Sequence, residues 1–129
     1  MELIRNMVGW FEIPVEDIPR AIKFYETVFE VEITPAEVGD LEMGWFPFDE
    51  KLPGSTGSLV KSEGNYKPST DGIAIYFTSQ AGDIAVELSR VEAAGGKIVM
   101  PKTLITEDIG YMGLFIDSEG NRIAIHSVK

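Results

Sequence analysis

The chain has 129 residues, with 21 acidic against 11 basic and a formal net charge of −10; that balance excludes a phosphate-backbone binder and favours cationic over anionic ligands. It has no cysteine, which removes disulfides, thiolate metal sites and cysteine nucleophiles and fits a reducing cytoplasm. With 44% hydrophobic and 25% charged residues it reads as one soluble domain, 1–129, with no apolar run near the roughly 18 residues of a membrane span and no signal-like N-terminus.

Val8–Val15, rich in aromatic and β-branched residues, predicts a first strand. Asp17 offers a helix N-cap and Pro19 suits a first turn. Ile18, Ala21, Ile22, Tyr25, Val28 and Phe29 then fall mostly three and four apart, which predicts a helix over 17–29. Three strands are expected at Val31–Ala36, Leu41–Phe48 and Ser58–Lys61, punctuated by Gly39-Asp40 and Pro53-Gly54-Ser55. The polar stretch 62–71 reads as a linker. Beyond it come a strand at Gly72–Phe77 and a helix over Asp83–Ala94 that Gly95-Gly96 stops. Lys97–Met100, Met112–Ile116 and Arg122–His126 complete the strands.

The order is therefore β-α-β-β-β, twice, which makes the fold class α+β. The two halves, about 8–61 and 72–127, are related by more than their order. Asp17-Ile18 returns as Asp83-Ile84 and Gly54 as Gly120, both 66 residues later. A single offset linking separate landmarks indicates an internal repeat. The second strand-to-helix joint, Thr78–Gly82, is two residues longer than Pro14-Val15-Glu16. The opening strands are thus offset by 64, and Trp10 matches Ala74 while Glu12 matches Tyr76.

The doubled unit, the Phe24-Tyr25 pair on the first helix and the closing run Asp117-Ser118-Glu119-Gly120-Asn121-Arg122 resemble the vicinal oxygen chelate superfamily, which includes glyoxalases, extradiol dioxygenases and bleomycin-resistance proteins. The likeness spans about Val8 to Ser127 and looks closest to small bacterial glyoxalase-related proteins. It implies two cupped mixed sheets around a cavity, helices outside, a small-molecule ligand and a homodimer. It also implies four metal-ligand positions, which land on Trp10, Ser58, Ala74 (or Tyr76, if the insertion is not counted) and Ala124. An indole N–H donates only and a methyl has no lone pair, so no metal and no other cofactor are expected. Lactoylglutathione lyase activity, which in that family depends on the metal, is not expected either. A displaced site would have to draw on Glu12, Glu42 and the single histidine, His126.

Without a metal, the cavity becomes an apolar, aromatic small-molecule site. Trp10 is expected in its floor, and alternation sets Trp45 opposite to Phe46 and Phe48, leaving open which set lines a wall. Ser58, Ala74, Tyr76, Ala124 and His126 are the other ligand-facing candidates. A carboxylate beside an indole in a partly dry cavity is how a general base is tuned, so Glu12 is the candidate catalytic residue. Tyr76, its repeat partner, is the best-placed donor for a developing oxyanion; Lys61, Tyr111 and His126 are further ones. Two activities follow: a metal-independent lyase or isomerase using Glu12, or non-catalytic sequestration of a cationic drug through cation–π contacts.

Overall fold

The computed structural model describes residues 2–129. Its elements are β1 (Phe11–Pro14), α1 (Ile18–Phe29), β2 (Thr34–Val38), β3 (Leu41–Trp45), β4 (Gly57–Lys61), β5 (Tyr76–Thr78), α2 (Ile84–Val91), β6 (Lys97–Thr106), β7 (Gly110–Ile116) and β8 (Arg122–Ser127). They form two four-stranded mixed sheets, ordered β1-β4-β3-β2 and β5-β8-β7-β6. In each, the first strand runs parallel to the last and the other pairs are antiparallel. The α+β doubled β-α-β-β-β fold expected from the sequence is the fold observed.

The repeat register is visible in the ladders. Glu12 pairs with Ser58 and Tyr76 with Ala124. Ser58 and Ala124 are 66 apart while Glu12 and Tyr76 are 64 apart, as the inserted joint requires.

Both helices begin as read. Asp17 Oδ1 accepts from the Arg20 amide at 2.9 Å and Asp83 Oδ1 from the Ala85 amide at 2.9 Å, each cap worth about 1 kcal/mol. Their ends differ. The chain leaves α1 through Glu30 in the left-handed region, φ 54°. After α2 it turns through Gly95, φ 107°, with the Gly96 amide reaching back to the Val91 carbonyl at 2.9 Å.

Strand lengths depart from the sequence reading at the edges. Val8–Val15 shrinks to Phe11–Pro14 because its one partner, β4, starts at Gly57 opposite Phe11. Gly72–Phe77 becomes Tyr76–Thr78, also an edge strand with β8 alone beside it. In contrast Lys97–Met100 extends to Thr106, because β6 folds back on β7 through a hairpin and tolerates three register shifts. The two outermost strands, β2 and β6, each contain a proline, Pro35 and Pro101, again 66 apart.

One core serves both halves. Ile13 and Leu59 of the first sheet and Phe115, Ile123 and Ile125 of the second join Phe24, Tyr25, Phe29, Ile84, Leu88 and Val91 of the helices. Tyr25, Phe29 and Phe46 from the first unit meet Phe77 from the second, with ring centroids 4.9–5.9 Å apart, distances at which aromatic pairs add to simple burial. The helices cover one face of each sheet. By alternation, Trp10, Glu12, Ser58 and Trp45 lie on the free face of the first sheet, and Tyr76, Ala124, His126 and Met112 on that of the second.

The turn that closes the second unit also clasps the first. Asp117 is buried and accepts from the Tyr25 hydroxyl at 2.7 Å, the Glu119 amide at 2.8 Å and the Asn121 amide at 2.9 Å. Burial, then the adjacent Asp117 charge, pushes the Tyr25 phenol well above its ordinary pKa. Glu119 Oε1 accepts from the backbone of Glu16 and Asp17 at 2.9 and 3.0 Å, and its Oε2 takes the Arg20 guanidinium at 2.7 Å. Asn121 donates to the Pro14 carbonyl at 2.7 Å and accepts from Ser69 in the linker at 3.1 Å.

Candidate functional site

The edge strands β1 and β5 leave a trough between the two sheets, with a volume near 1120 Å³. Its floor reaches the shared aromatic core at Phe11, Phe46 and Phe77. Trp10 and Glu12 stand on one wall, Ala74 and Tyr76 on the other. Four of the residues singled out from the sequence are thus brought to one concave surface.

Trp45 joins them through a contact. Its ring meets Trp10 at right angles, centroids 6.4 Å apart. Trp45 is in register with Ser58, and Ser58 with Glu12, so the three form a row across the free face of the first sheet. The question left by alternation is resolved: Trp45 faces outward, while Phe46 turns into the core. The indole N–H of Trp10 donates to Glu12 Oε2 at 3.3 Å. Glu12 is half-buried, and both tryptophans are exposed, 44% for Trp10 and 41% for Trp45. The partly dry cavity expected around Glu12 is therefore an open, water-accessible trough.

Ser58 and Ala124 are fully buried, on the inner strands β4 and β8 next to Glu12 and Tyr76. Ser58 Oγ is also the only buried side-chain polar atom without a hydrogen-bond partner among the described residues. His126 lies on the free face of the second sheet, its Nε2 2.6 Å from the Ile109 carbonyl oxygen in the β6–β7 turn. Tyr76 points its hydroxyl at Met112 Sδ, 3.7 Å away.

The residues do not fit a divalent metal. Trp10 Nε1 is a donor already directed at Glu12, Ala74 and Ala124 offer no lone pair, and Ser58 is a weak neutral ligand. Glu12, Glu42 and His126 do not converge either. Glu42 sits three residues from Trp45 in β3, hence on the opposite face, in strand register with Lys61, and His126 belongs to the other sheet. Among the described residues, no three His, Asp or Glu side chains are placed to hold a metal ion.

What the sequence reading missed is the clasp. From sequence Asp117, Glu119 and Asn121 are only parts of a closing run, yet they hold the Pro14–Arg20 joint directly after β1, the strand that carries Glu12. A buried polar run in a turn is the signal that could have found it, but burial is not written in one sequence.

A doubled β-α-β-β-β chain with such a trough defines a class of protein, and the family agrees. The chain belongs to the glyoxalase/bleomycin resistance protein/dioxygenase superfamily, whose profile matches residues 7–125. Among solved structures it is similar to a glyoxalase/bleomycin resistance protein/dioxygenase domain from Frankia (16% identity, 95% of this chain and 97% of that one, TM-score 0.71). It is similar also to a hypothetical protein from S. aureus (20% identity, 98% and 99%, TM-score 0.67). Glyoxalase I from Zea mays aligns at 18% identity and TM-score 0.65 over 92% of this chain, which spans only 45% of that protein. At such identities these likenesses speak for the fold alone. No match is found among curated proteins. No helix among the described residues is long and apolar enough to cross a membrane.

Proposed function

We propose that this chain is a metal-independent small-molecule-binding member of its superfamily, with the trough between β1 and β5 as the ligand site. The observation that carries this reading is the trough itself: an aromatic floor, Glu12 and Tyr76 on facing walls, only three other charged side chains in the lining (Asp49, Lys67 and Arg122), and a donor set that suits no divalent ion. Apolar walls with a few polar groups are the usual makeup of a small-molecule site. The reading places the protein in the cytoplasm as a homodimer. Leu3, Ile4, Met7, Val8 and Ile73 are strongly exposed apolar residues that a second copy would cover.

The neutral dye Nile red should bind saturably, with enhanced emission, and protein purified without chelator should carry far less than one transition-metal ion per chain by elemental mass spectrometry. Failure to bind overturns the trough as a ligand site; stoichiometric metal overturns metal independence.

Two uses of the trough are compatible with its walls. In a lyase or isomerase, Glu12 would take a proton next to a carbonyl and Tyr76 would donate to the developing oxyanion. In a sequestering protein, as the bleomycin-resistance resemblance implies, a cationic drug would be held without product. Indole-bound, water-accessible Glu12 favours the second use, because a general base works best in a drier place. Glu12→Gln separates them. It abolishes turnover while leaving apolar binding intact in the first case, and weakens cation binding with no product from either protein in the second.

A further inference from the structure

We infer that the Trp10–Trp45 corner with Glu12 is a subsite for an alkylated ammonium group, the cationic head of whatever ligand the trough takes. This rests on the trough being a ligand site, and goes further by naming what its polar end recognises. Three observations converge. The two indoles stand at 89° with each ring partly exposed, so two π faces border one corner. Glu12 sits in that corner without a cationic partner: the ion pairs among the described residues are Arg20–Glu119, Arg90–Glu30 and Lys102–Asp83. The chain as a whole carries −10, which concentrates cations around it.

Alternative ligands fit less well. An anion would meet the Glu12 carboxylate at close range. A bare metal ion would find one carboxylate and two indoles, which supply too few lone pairs. A methylated ammonium spreads its charge over apolar methyl groups, sheds water easily, and matches indole faces plus one carboxylate.

The experiment uses the two tryptophans themselves. They are the only ones in the chain and both lie at the corner, so intrinsic fluorescence reports this site directly. Choline chloride is titrated at constant ionic strength, against its neutral isostere 3,3-dimethylbutan-1-ol, with Nile red as a separate probe of the trough. The expected result is a saturable fluorescence change with choline, and binding of the isostere weaker by about fivefold or more. Glu12→Gln and Trp45→Phe, each checked for native circular dichroism, should each weaken choline by about fivefold, and Trp45→Phe, which lies outside the trough lining, should leave Nile red unchanged. Equal affinity for choline and the isostere, or a Glu12→Gln protein that binds choline normally, overturns the inference. Nile red binding with no choline response overturns it while sparing the trough; loss of both overturns the trough reading.

Discussion

The two halves solve the same problem with different parts, and the difference shows which half leans on the other. In each, a strand gives way to a helix through a joint whose backbone N–H groups need acceptors. The second unit supplies its own: buried Glu87, on α2, accepts from Ser79 Oγ at 2.7 Å, the Gln80 amide at 2.9 Å and the Ala81 amide at 3.2 Å. The first unit borrows: its joint at Glu16 and Asp17 is held by Glu119, from the closing turn of the second. Neither carboxylate has a counterpart in the other copy, where the positions 66 residues earlier are Ala21 and Pro53. The second unit is built to stand; the first is built to be held.

The strongest way to break that asymmetry is Asp117→Ala. It leaves the Tyr25 hydroxyl and the Asn121 and Glu119 amides without their acceptor, so urea denaturation should show a loss of about 3 kcal/mol or more. The matching change at the same place in the first unit, Lys51→Ala, touches an exposed turn and should stay within about 0.5 kcal/mol. A comparable loss for both would mean that the closing turn holds nothing special.

A second test uses acid. Burial pushes the Glu119 carboxyl up, but hydrogen bonds from Arg20, Ser118, Glu16 and Asp17 outweigh it and hold the group below its ordinary pKa. Asp83 is also lowered, first by Lys102 and then by the Ala85 amide. A carboxylate with a depressed folded pKa contributes stability that is complete above the ordinary range, about pH 4.5, and lost as pH falls through the folded value. Stability should therefore decline below about pH 4.5, and Glu119→Gln should flatten the decline more than Asp83→Asn does. Identical slopes for the two variants would sink the claim that the clasp carries more of the acid response than the helix cap.

The smallest expected effects lie at the helix ends. Glu30→Gly relieves a side chain from the left-handed region and loses a largely exposed pair with Arg90; melting should show a gain of about 0.5–1 kcal/mol. Gly95→Ala runs the other way, losing about 1 kcal/mol. If both variants destabilise, the left-handed strain at Glu30 is offset by something its contacts do not include.

Much of this was legible before the structure. The helices follow from capping aspartates and spaced apolar residues, and the doubled fold from one repeated offset. Trp10 and Glu12 were placed on one face because strand alternation is local. The extent of β1 and β5 was not legible, since an edge strand ends where its neighbour does. Trp45 could not be assigned a face until its register with Ser58 was known. The clasp was invisible for the same reason: Glu119 gains its meaning from Glu16 and Arg20, about a hundred residues away.

The paired prolines, Pro35 and Pro101, carry a further consequence. Each sits in the edge strand of its sheet that lies away from the trough, and removes an N–H from a border where a stray chain could zip on. The register shifts along β6 roughen that border further. Exposed β-sheet margins are where fibrils begin, and this chain blunts both of its outer margins at the same repeat position. It can thus present an apolar aromatic trough to its surroundings while discouraging its sheets from growing into one another.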